Sequence, residues 1–577
     1  MTVTDGATTG RSIAYFSMEI AIDDDVPSFS GGLGVLAGDF LRSAADLGLP
    51  VVGVTLLYHD GYFRQRLDDE GHQRELVVRW SPEDRLRLLP QQVEVTIYGR
   101  TVKVAVWQLD LIGAGGHQVP VYFLDTRLVD NDPADQLITD QLYSGDLAHR
   151  LCQEGVLGLA GPPMLTALGH RAVETFHMNE GHSSLLTLAL LDSQIGNLLD
   201  GPRPSDIDAV RSRCVFTTHT PVPAGHDRFP EQLVRDVLGA EMADRLAELG
   251  CLPDGELNMT VLGMTFSHFV NAVARRHQEV SQEMFPQFHV TSITNGVHAG
   301  RWAAPSIRRL FDDHLPGWRR DNSSLRYAST IPLDELRQAH AEAKEALLET
   351  VAARARVHFD PAVLTIGVAR RATPYKRFDL LLSDPERLLY LVKAVGPIQV
   401  VYAGKAHPDD ALGKEMIPRV LKAAEELAGA VPVVYLENYS LDLGGLLTAG
   451  SDVWLNTPTK PYEASGTSGM KAAVNGVPSL SILDGWWIEG HVEDVTGWAI
   501  GDHEPETGDA HDAQLLYDAL ERKILPLYYR DPNAFAAIMR HAISLNGSFF
   551  NTERMVREYD QRAYRAGRQW PSALRVP

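Results

Sequence analysis

The sequence has little of what cross-linked or secreted proteins need. Its 577 residues include three scattered cysteines, Cys152, Cys214 and Cys251, and no C-x-x-C spacing. Thiols of this kind suit a reducing compartment and argue against a disulfide framework. The first residues, MTVTDGATTGR, have neither a basic segment nor an apolar core, so no secretory signal is predicted. We therefore expect a cytoplasmic protein.

Long apolar runs and an excess of positive charge are lacking too. The apolar stretch at 156–169 is interrupted by Gly161, Pro162 and Pro163 and is shorter than the roughly 18–20 residues that a membrane helix needs. Lysine and arginine number 53 against 75 acidic residues, a net charge of −22. A general binder of nucleic acid or anionic membranes would carry the opposite balance. We expect neither as a partner.

The remaining composition is that of a globular protein with several domains. The chain is 44% hydrophobic and 22% charged, which excludes wholesale disorder and allows sizeable cores. Its length predicts about two to four domains.

The second half of the chain alternates short β-branched strands with amphipathic helices. Strands are predicted at 363–368, 398–403, 431–436, 453–455 and 479–483, and helices at 375–395, 411–428, 441–449 and 469–475. The alternation is typical of βαβ units in a parallel, doubly wound sheet. Ligands of such sheets bind beyond the carboxyl ends of the strands, where this sequence places Arg370, Arg371, Lys405, Asn456 and Asp484. We expect this half to carry a site.

The first half repeats the pattern less regularly. Strands are predicted at 13–18, 51–58, 173–178, 214–218 and 290–293, and the alternating segment 93–126 predicts an antiparallel excursion. One long helix is predicted at 332–357. The fold prediction is therefore α/β, with two Rossmann-like, doubly wound lobes facing a cleft. The N-terminal lobe would span 1–330 and the C-terminal lobe 331–577, with a linker helix at about 331–358.

Two segments have the composition of anion sites. The string SGGLGV at 30–35 opens a predicted helix at 35–47; glycines let the backbone approach an anion, and free N–H groups favour negative charge, although a tight structural turn would also explain it. The segment 367–377 holds Arg370, Arg371, Lys376 and Arg377, residue types that bind a phosphate dianion. Its alternative is a solvated helix start, where cations would oppose the dipole.

The most specific string is EASGTSGMK at 463–471. Its serines, threonine and glycines offer hydroxyl caps and a backbone nest for a second anion, and Lys471 falls on the helix that follows. An ordinary capped helix start is the alternative.

Metal and hydrolase motifs are not found. The pairs His177/His182 and His219/His226 lack the helical spacing and the third ligand of a zinc site. No G-x-S-x-G elbow is present, and spacing identifies no glycosidase carboxylate pair. We predict no metal.

Together these motifs resemble the α-glucan (glycogen, starch and maltodextrin) phosphorylases. The matches follow the family order from about residue 12 to 500: SME at 17–19, GGLG at 31–34, HMNEGH at 177–182, TTHTP at 217–221, ITNGV at 293–297, Arg370 to Lys376, ENY at 437–439, and 463–471. The resemblance implies the GT-B glycosyltransferase fold and reversible phosphorolysis: a terminal α-1,4-glucosyl unit and orthophosphate give glucose 1-phosphate with retention. It also implies pyridoxal 5′-phosphate, attached to Lys471, with the cofactor's phosphate as the working group.

The resemblance also assigns residues to ligands. Arg371 and Lys376 would hold the substrate phosphate with the Gly32 amide, and together with His219 and Lys471 they are the expected catalytic residues. Cofactor contacts would come from Arg370, Thr467, Ser468 and Tyr439. The residues expected to grip the glucosyl unit are His219, Leu33, Asn295, Tyr375, Glu463, Ser465 and Gly466. The expected partners are an α-glucan or maltooligosaccharide and orthophosphate or glucose 1-phosphate, and a homodimer is the family expectation.

Some residues depart from the family pattern. The first motif begins near residue 13, so we expect a short form without the N-terminal regulatory extension of animal members. Ser440 stands where many relatives have arginine, and 372–374 and 457–462 also differ, which leaves the acceptor open. The alternative function is a nucleotide-sugar-dependent transferase of the same fold, suggested by PYKRFD at 374–379. A third is a non-catalytic glucan-binding relative.

Overall fold

Two sheets organise the chain. In the computed structural model, which describes residues 12–195, 202–501 and 508–565, a nine-stranded sheet is built from the first half and a six-stranded sheet from the second. Helices cover both, and the predicted α/β class with two lobes is confirmed. No helix among these residues is long and apolar enough to cross a membrane.

The N-terminal lobe holds thirteen of the described strands and twelve α-helices. Its strands are β1 (Ser12–Phe16), β2 (Val51–Leu56), β3 (Arg64–Leu67), β4 (Gln73–Leu76), β5 (Arg87–Ile97), β6 (Arg100–Ile112), β7 (Gln118–Asp125), β8 (Val173–Asn179), β9 (Cys214–Thr217), β10 (Arg228–Pro230), β11 (Glu256–Asn258), β12 (Phe269–Ala272) and β13 (Thr291–Ser292). Its helices are α1 (Gly32–Asp46), α2 (Pro133–Gln136), α3 (Leu147–Gly155), α4 (Gly161–Ala167), α5 (Leu186–Ile195), α6 (Pro204–Arg211), α7 (Glu231–Leu238), α8 (Ala240–Glu248), α9 (Met259–Thr265), α10 (Arg275–Met284), α11 (Ala299–Trp302) and α12 (Pro305–His314).

The remaining elements begin with the linker helix α13 (Leu333–Ala355). The strands of the C-terminal lobe are β14 (Leu364–Ala369), β15 (Ile398–Ala403), β16 (Val433–Leu436), β17 (Val453–Asn456), β18 (Ser479–Ile482) and β19 (Gly497–Ile500). Its helices are α14 (Pro385–Ala394), α15 (Ala411–Glu426), α16 (Leu441–Gly450), α17 (Ser468–Val474), α18 (Trp487–Gly490), α19 (Asp509–Ala519), α20 (Leu525–Arg530), α21 (Pro532–His541) and α22 (Thr552–Tyr559).

The first sheet has the order β13-β12-β9-β8-β1-β2-β7-β6-β5. Strands from β13 to β7 run parallel, and β5, β6 and β7 form the antiparallel excursion predicted around 93–126. Tyr98 and Gly99 turn the β5–β6 hairpin with φ values of 51° and 70°, as a two-residue turn between twisted strands requires. Strand order reverses between β1 and β8, so their carboxyl ends form a switch point where ligands bind.

The second sheet is entirely parallel, with the order β16-β15-β14-β17-β18-β19. This is the strand order of dinucleotide-binding folds, and its switch point lies between β14 and β17. Arg370 and Arg371 follow β14, and Thr457 follows β17. The basic segment therefore lies at the place where this topology binds ligands.

The linker helix α13 agrees with the predicted long helix at 332–357. It is anchored to the second sheet by Asp452, which accepts hydrogen bonds from Lys344 Nζ (2.7 Å) and the Thr365 amide (2.7 Å) and pairs with His340 (3.0 Å). The division of the lobes at residue 330 stays a prediction. From the C-terminal part, α22 packs against α1, and its residues Met555 and Tyr559 join the core of the N-terminal lobe.

The prediction of a helix at 375–395 is wrong over the first half of that segment. Residues Pro374–Lys376 and Leu380–Leu382 form 3-10 turns, and the α-helix begins only at Pro385. Arg377 lies between them at φ 47°, and its buried guanidinium bonds the carbonyls of Thr457 and Pro458 and the carboxylate of Asp512. The tertiary contacts of one arginine thus override the local helical pattern, which leaves this segment as a loop beside the switch point.

Helix α1 packs so closely on the loop after β1 that one of its glycines cannot carry a side chain. A Cβ on Gly38 would lie 1.9 Å from the carbonyl oxygen of Ala21, whereas a Cβ on Gly32 would meet nothing within 4 Å. Overpacking costs roughly 1–3 kcal/mol, so Gly38→Ala should lower the thermal unfolding midpoint, although alanine is the better helix former. Gly32→Ala is the matched control and should not lower it. Equal midpoints for the two variants would contradict this packing.

Candidate active site

The glycine loop at the start of α1 faces the basic segment after β14 across the cleft. A Cβ on Gly31 would lie 3.3 Å from Nη2 of Arg371, so the two lobes meet at these residues. Gly32 and Arg371 are exposed. In the part of the chain that the structure describes, Arg371 forms no hydrogen bond and no ion pair, so its N–H donors are available to an anion.

Glu19 holds the glycine loop in place. Its Oε2 accepts hydrogen bonds from the amides of Ser30 (2.6 Å) and Gly31 (3.2 Å), and its Oε1 accepts one from Tyr143 Oη (3.1 Å). The amides of Gly32 and of the two residues after it, being the first of α1, have no partner within the helix. An anion in the cleft would therefore meet these amides, while Glu19 occupies the ones before them.

Lys376, Tyr375 and Glu463 lie together in the cleft wall. Lys376 Nζ forms an ion pair with Glu463 Oε2 and lies 4.9 Å from the centre of the Tyr375 ring. Both charged side chains are largely buried. The structure thus pairs a predicted phosphate-binding lysine with a predicted sugar-binding carboxylate, so a bound phosphate would compete with Glu463 for the ammonium group.

Arg370 and Ser468 converge on Asn456 at the end of β17. Arg370 Nη2 donates to Asn456 Oδ1, and Ser468 Oγ donates to the same oxygen at 3.4 Å. Arg370 Nε is buried without a hydrogen-bond partner among the described residues. Burial lowers the pKa of Arg370, and the Glu463 carboxylate opposes that shift. Asn456 is absent from the predicted site residues, although its position after a predicted strand is a signal that could have identified it.

Lys471 is a buried amine beside an indole ring. It is 5% exposed, and its Nζ lies 3.7 Å from the centre of the Trp302 ring. Within the described ranges its Nζ forms no hydrogen bond and no ion pair. Burial lowers the pKa of Lys471 to about 8, opposed by the charge of Asp39 and reinforced by Arg301. A substantial neutral fraction of this lysine near pH 8 makes it a competent nucleophile.

The loop between Glu463 and α17 leaves one polar atom unsatisfied. Ser465 Oγ is buried without a partner among the described residues, and Gly466 has φ 72°, which favours glycine. Asp484, after β18, accepts the amides of Glu463 and Gly485, both at 2.9 Å. Burial raises the pKa of Asp484 to about 6, and the Glu463 carboxylate adds to the shift. Asp484 therefore fixes the loop that presents Ser465.

His219 and Asn295 belong to the N-terminal side of the cleft. His219 Nε2 lies 2.7 Å from Asn179 Oδ1, and its amide donates to Glu180 Oε2 at 2.6 Å. Asn295 Oδ1 is buried without a partner in the described part of the chain, while its carbonyl accepts a hydrogen bond from Arg554 Nη2 on α22 (3.0 Å). The last described α-helix thus positions a predicted sugar-binding loop.

The other histidines of the motifs have protein partners. His177 lies 2.7 Å from Tyr564 Oη and 2.8 Å from Thr217 Oγ1, His182 pairs with Asp227, and His226 Nδ1 lies 2.8 Å from Thr260 Oγ1. Burial lowers the pKa of His177 and of His182 to about 3. Within residues 12–195, 202–501 and 508–565, no group of three or more potential ligands could hold a metal ion. These histidines have structural roles.

Two predicted contacts are less direct. Tyr439 is half-buried, and a Cβ on Gly444 in α16 would lie 2.4 Å from its hydroxyl; no described hydrogen bond joins it to Arg370 or Ser468. Ser440 caps α16 by accepting the Leu443 amide at 3.2 Å. Leu33 is half-buried in the first turn of α1, and Thr467 is the N-cap residue of α17.

The β3–β4 hairpin of the N-terminal lobe contacts the loops that follow β15 and β16 in the C-terminal lobe. In β3, the Gln65 amide donates to Asn438 Oδ1 (3.1 Å), and the Asn438 amide donates back to Gln65 Oε1 (2.8 Å). In β4, Gln73 exchanges two hydrogen bonds with the backbone of Ala406, each 2.9 Å. Next to the hairpin, Lys405 Nζ donates to the Phe63 carbonyl at 3.0 Å. Sequence patterns did not reveal these contacts between the lobes, because the bonded residues are hundreds of positions apart in the chain.

Most of the candidate site residues lie in segments of the chain that match one protein family. The family model described as carbohydrate phosphorylase matches residues 19–126 and 222–497. A maltodextrin phosphorylase of Thermococcus litoralis is 36% identical, over 96% of this chain and 70% of that protein. Glycogen phosphorylases of Mycobacterium tuberculosis (37%, covering 96% and 70%) and Aquifex aeolicus (35%, covering 96% and 86%) are similar as well. The glycine loop, the basic segment and Lys471 fall within the matched residues, and His219 falls just before the second segment.

Proposed function

The chain belongs to the carbohydrate phosphorylase family, of GT-B architecture, and we propose that it catalyses the retaining, reversible phosphorolysis of terminal α-1,4-glucosyl units of a glucan. Orthophosphate and the glucan would give glucose 1-phosphate and a glucan shorter by one unit. One observation supports the assignment to this cleft: the guanidinium of Arg371, which has no partner among the described residues, faces the glycine loop of the other lobe. Arg370 and Ser468, which both bond Asn456, would form a second anion site beside it.

The residues around Lys471 fit pyridoxal 5′-phosphate. An aldehyde needs an amine that is partly neutral and uncommitted, and Lys471 meets both conditions. A phosphate needs donors without partners, and Arg370 Nε is one. We assign Lys471 to the aldehyde and Arg370, Thr467 and Ser468 to the phosphate. When bound, this cofactor supplies a phosphate group that can exchange a proton with the substrate phosphate.

The protein's own contribution begins with charge. Arg371 and Lys376 bind the substrate phosphate, and Arg370 brings a third positive charge to the same switch point, so the repulsion between two neighbouring phosphates is offset. Lys376 exchanges Glu463 for the phosphate, which frees the Glu463 carboxylate to accept hydroxyl groups of the sugar. Charges fixed in a cleft of low polarity stabilise a transition state more than they would in water.

The sugar is held by groups that lack partners. Asn295 Oδ1 and Ser465 Oγ are buried and unsatisfied in the described protein, and such groups gain free energy when a ligand hydroxyl pairs with them. The hairpin β3–β4 contacts Asn438 and Ala406 of the C-terminal lobe. Exclusion of water matters because hydrolysis competes with phosphorolysis for the same glucosyl unit. The acceptor length, a homodimer and a cytoplasmic location stay predictions.

The function is tested by the dependence of glucose 1-phosphate release on phosphate. Purified protein loaded with pyridoxal phosphate is incubated with maltoheptaose and orthophosphate, and the product is followed by phosphorus and proton NMR. We expect α-glucose 1-phosphate only when phosphate and glucan are both present. Transfer of glucose from a nucleoside diphosphate sugar without any phosphate-dependent release would favour the rival transferase, against which the names of the similar proteins already weigh.

A further inference from the structure

We propose that Asn179, itself held by Ser17, fixes the tautomer of His219 so that His219 Nδ1 accepts a hydrogen bond from a hydroxyl group of the bound sugar. The inference rests on the proposed function for the identity of the ligand, but its structural part does not. Asn179 is a positioning residue in this account, because it acts on the sugar through His219.

The three residues lie at the switch point of the first sheet. Phe16 pairs with Met178 and Asn179 pairs with Thr217, so Ser17 after β1, Asn179 at the end of β8 and His219 shortly after β9 lie side by side. Asn179 Nδ2 lies 3.1 Å from Ser17 Oγ, and Asn179 Oδ1 lies 2.7 Å from His219 Nε2. Ser17 and Asn179 are 0% and 1% exposed, so solvent offers them no alternative partners.

The direction of each hydrogen bond follows from the number of protons. Ser17 has one hydroxyl proton, which it donates to the Glu19 carbonyl at 2.8 Å, so its oxygen can only accept from Asn179 Nδ2. Asn179 Oδ1 then faces His219 and accepts, so His219 Nε2 must carry the proton. The opposite amide orientation would place Oδ1 against the Ser17 lone pairs or take the serine proton from the buried Glu19 carbonyl, which has no other described donor.

The resulting imidazole offers an acceptor to the cleft. Burial lowers the pKa of His219 well below its usual value, and the charges of His277, His177 and His182 add to the shift. A neutral ring with a proton on Nε2 carries a lone pair on Nδ1, which forms no hydrogen bond with any residue that the structure describes. Such an atom selects a donor, and the hydroxyl groups of a sugar are donors.

The neighbouring Glu180 shows that the position of His219 is imposed. Glu180 has φ 79° and ψ 169°, a conformation that residues other than glycine rarely adopt and that persists only when its surroundings enforce it. Its Oε2 accepts the His219 amide at 2.6 Å and Thr220 Oγ1 at 3.1 Å. Burial raises the pKa of Glu180 to about 7. Asn179, the last residue of β8, thus holds the ring of His219, and the next residue, Glu180, holds its backbone.

Fluorinated substrates test the acceptor role. Glucose 1-phosphate is used in the synthetic direction with each sugar hydroxyl replaced in turn by fluorine, which cannot donate. Fluorine next to the reacting carbon also slows the reaction inductively in every variant alike, so the loss in kcat/KM for each analogue is compared between the wild type and Asn179→Leu. For one analogue the loss should be roughly tenfold or more larger in the wild type. Asn179→Leu, of similar size, should itself reduce overall efficiency. If every analogue loses as much in Asn179→Leu as in the wild type, Asn179 has only a structural role and the proposal fails.

Asn179→Asp provides a second readout. A carboxylate facing Nε2 raises the pKa of His219, and the imidazolium donates from both nitrogens, so activity should fall at low pH and recover as the pH rises. The charged or titratable groups that face the ring, Glu180, His177, His182 and His277, are unchanged in this variant. Asn131→Asp is the matched control: Asn131 is a buried asparagine that bonds Lys103 and Thr126, so a carboxylate there should alter stability without shifting the pH profile of activity. A profile of Asn179→Asp identical to the wild type would overturn the proposal.

Nitrogen-15 NMR separates this inference from the proposed function. In histidine-labelled protein, the signals of His219 are assigned by their absence in His219→Gln, and their shifts report which nitrogen carries the proton whether or not the protein is active. We expect a protonated Nε2 in the wild type and a mixture in Asn179→Leu. A protonated Nδ1 in an active wild type would refute the inference and leave phosphorolysis standing, whereas the expected tautomer in a protein without phosphorolysis would refute only the function.

Discussion

Lys471→Ala should abolish phosphorolysis and cofactor uptake while the protein stays folded. The side chain is 5% exposed and is committed to no hydrogen bond in the described structure, so its removal costs contact with Trp302 but breaks no polar network. Without the amine, an aldehyde has nothing to bind covalently at this position. The variant should remain colourless after incubation with pyridoxal phosphate and dialysis, and its activity should fall to the background of the assay. Lys393→Ala, which changes an exposed lysine of α14, should take up cofactor like the wild type.

Borohydride reduction of the loaded enzyme identifies the attachment residue. Peptide mass mapping should find a pyridoxyl group on Lys471 and not on Lys405. Burial lowers the pKa of Lys405 to about 8 as well, but its Nζ donates a hydrogen bond to the Phe63 carbonyl. Labelling of Lys471 alone would therefore show that a lowered pKa is not sufficient and that the surroundings of Lys471 select the cofactor. Activity should largely survive, because the proposed mechanism uses the phosphate of the cofactor and not its aldehyde. An unmodified Lys471 in fully active enzyme would exclude the assignment.

Arg371→Ala and Lys376→Ala should each lower kcat/KM for glucose 1-phosphate by about 30- to 900-fold. This corresponds to roughly 2–4 kcal/mol for the loss of one charged partner of a phosphate in the transition state. Lys376→Ala should be the more severe change, because it also leaves the Glu463 carboxylate unpaired beside the incoming phosphate. Steady-state kinetics in both directions, with the unfolding midpoint of each variant, provides the measurement.

The two variants should differ in stability as well. Arg371 is exposed and has no partner among the described residues, so its replacement should leave the unfolding midpoint unchanged. Lys376→Ala breaks the partly buried ion pair with Glu463 and should lower the midpoint. Arg419→Ala serves as the control, since it removes an exposed arginine of the same lobe that pairs with Asp379. Near-native efficiency of either Arg371→Ala or Lys376→Ala would remove that residue from the phosphate site.

Much of the fold could be predicted for segments that are buried along their whole length. The strand at 398–403 is found at the predicted residues, and β14, β17 and β18 differ by one or two, because fully buried parallel strands are continuous apolar runs. Segments whose conformation depends on distant partners could not be predicted. The residues around Arg377 look helical but bond Thr457 and Asp512, and the β3–β4 hairpin has little apolar character because it faces the other lobe.

Sequence patterns were enough to identify the groups proposed for the chemistry, Arg371, Lys376 and Lys471, because local periodicity and motif spacing involve neighbours in the chain. Which of these groups are paired, and which have no partner among the described residues, depends instead on how remote segments pack together. Lys376 is neutralised by Glu463, 87 residues away, and the ring of His219 is oriented by Asn179, whose own amide is held by Ser17 across 162 residues. Hydrogen-bond direction and pKa depend on distance and burial, and the packing of remote segments sets both.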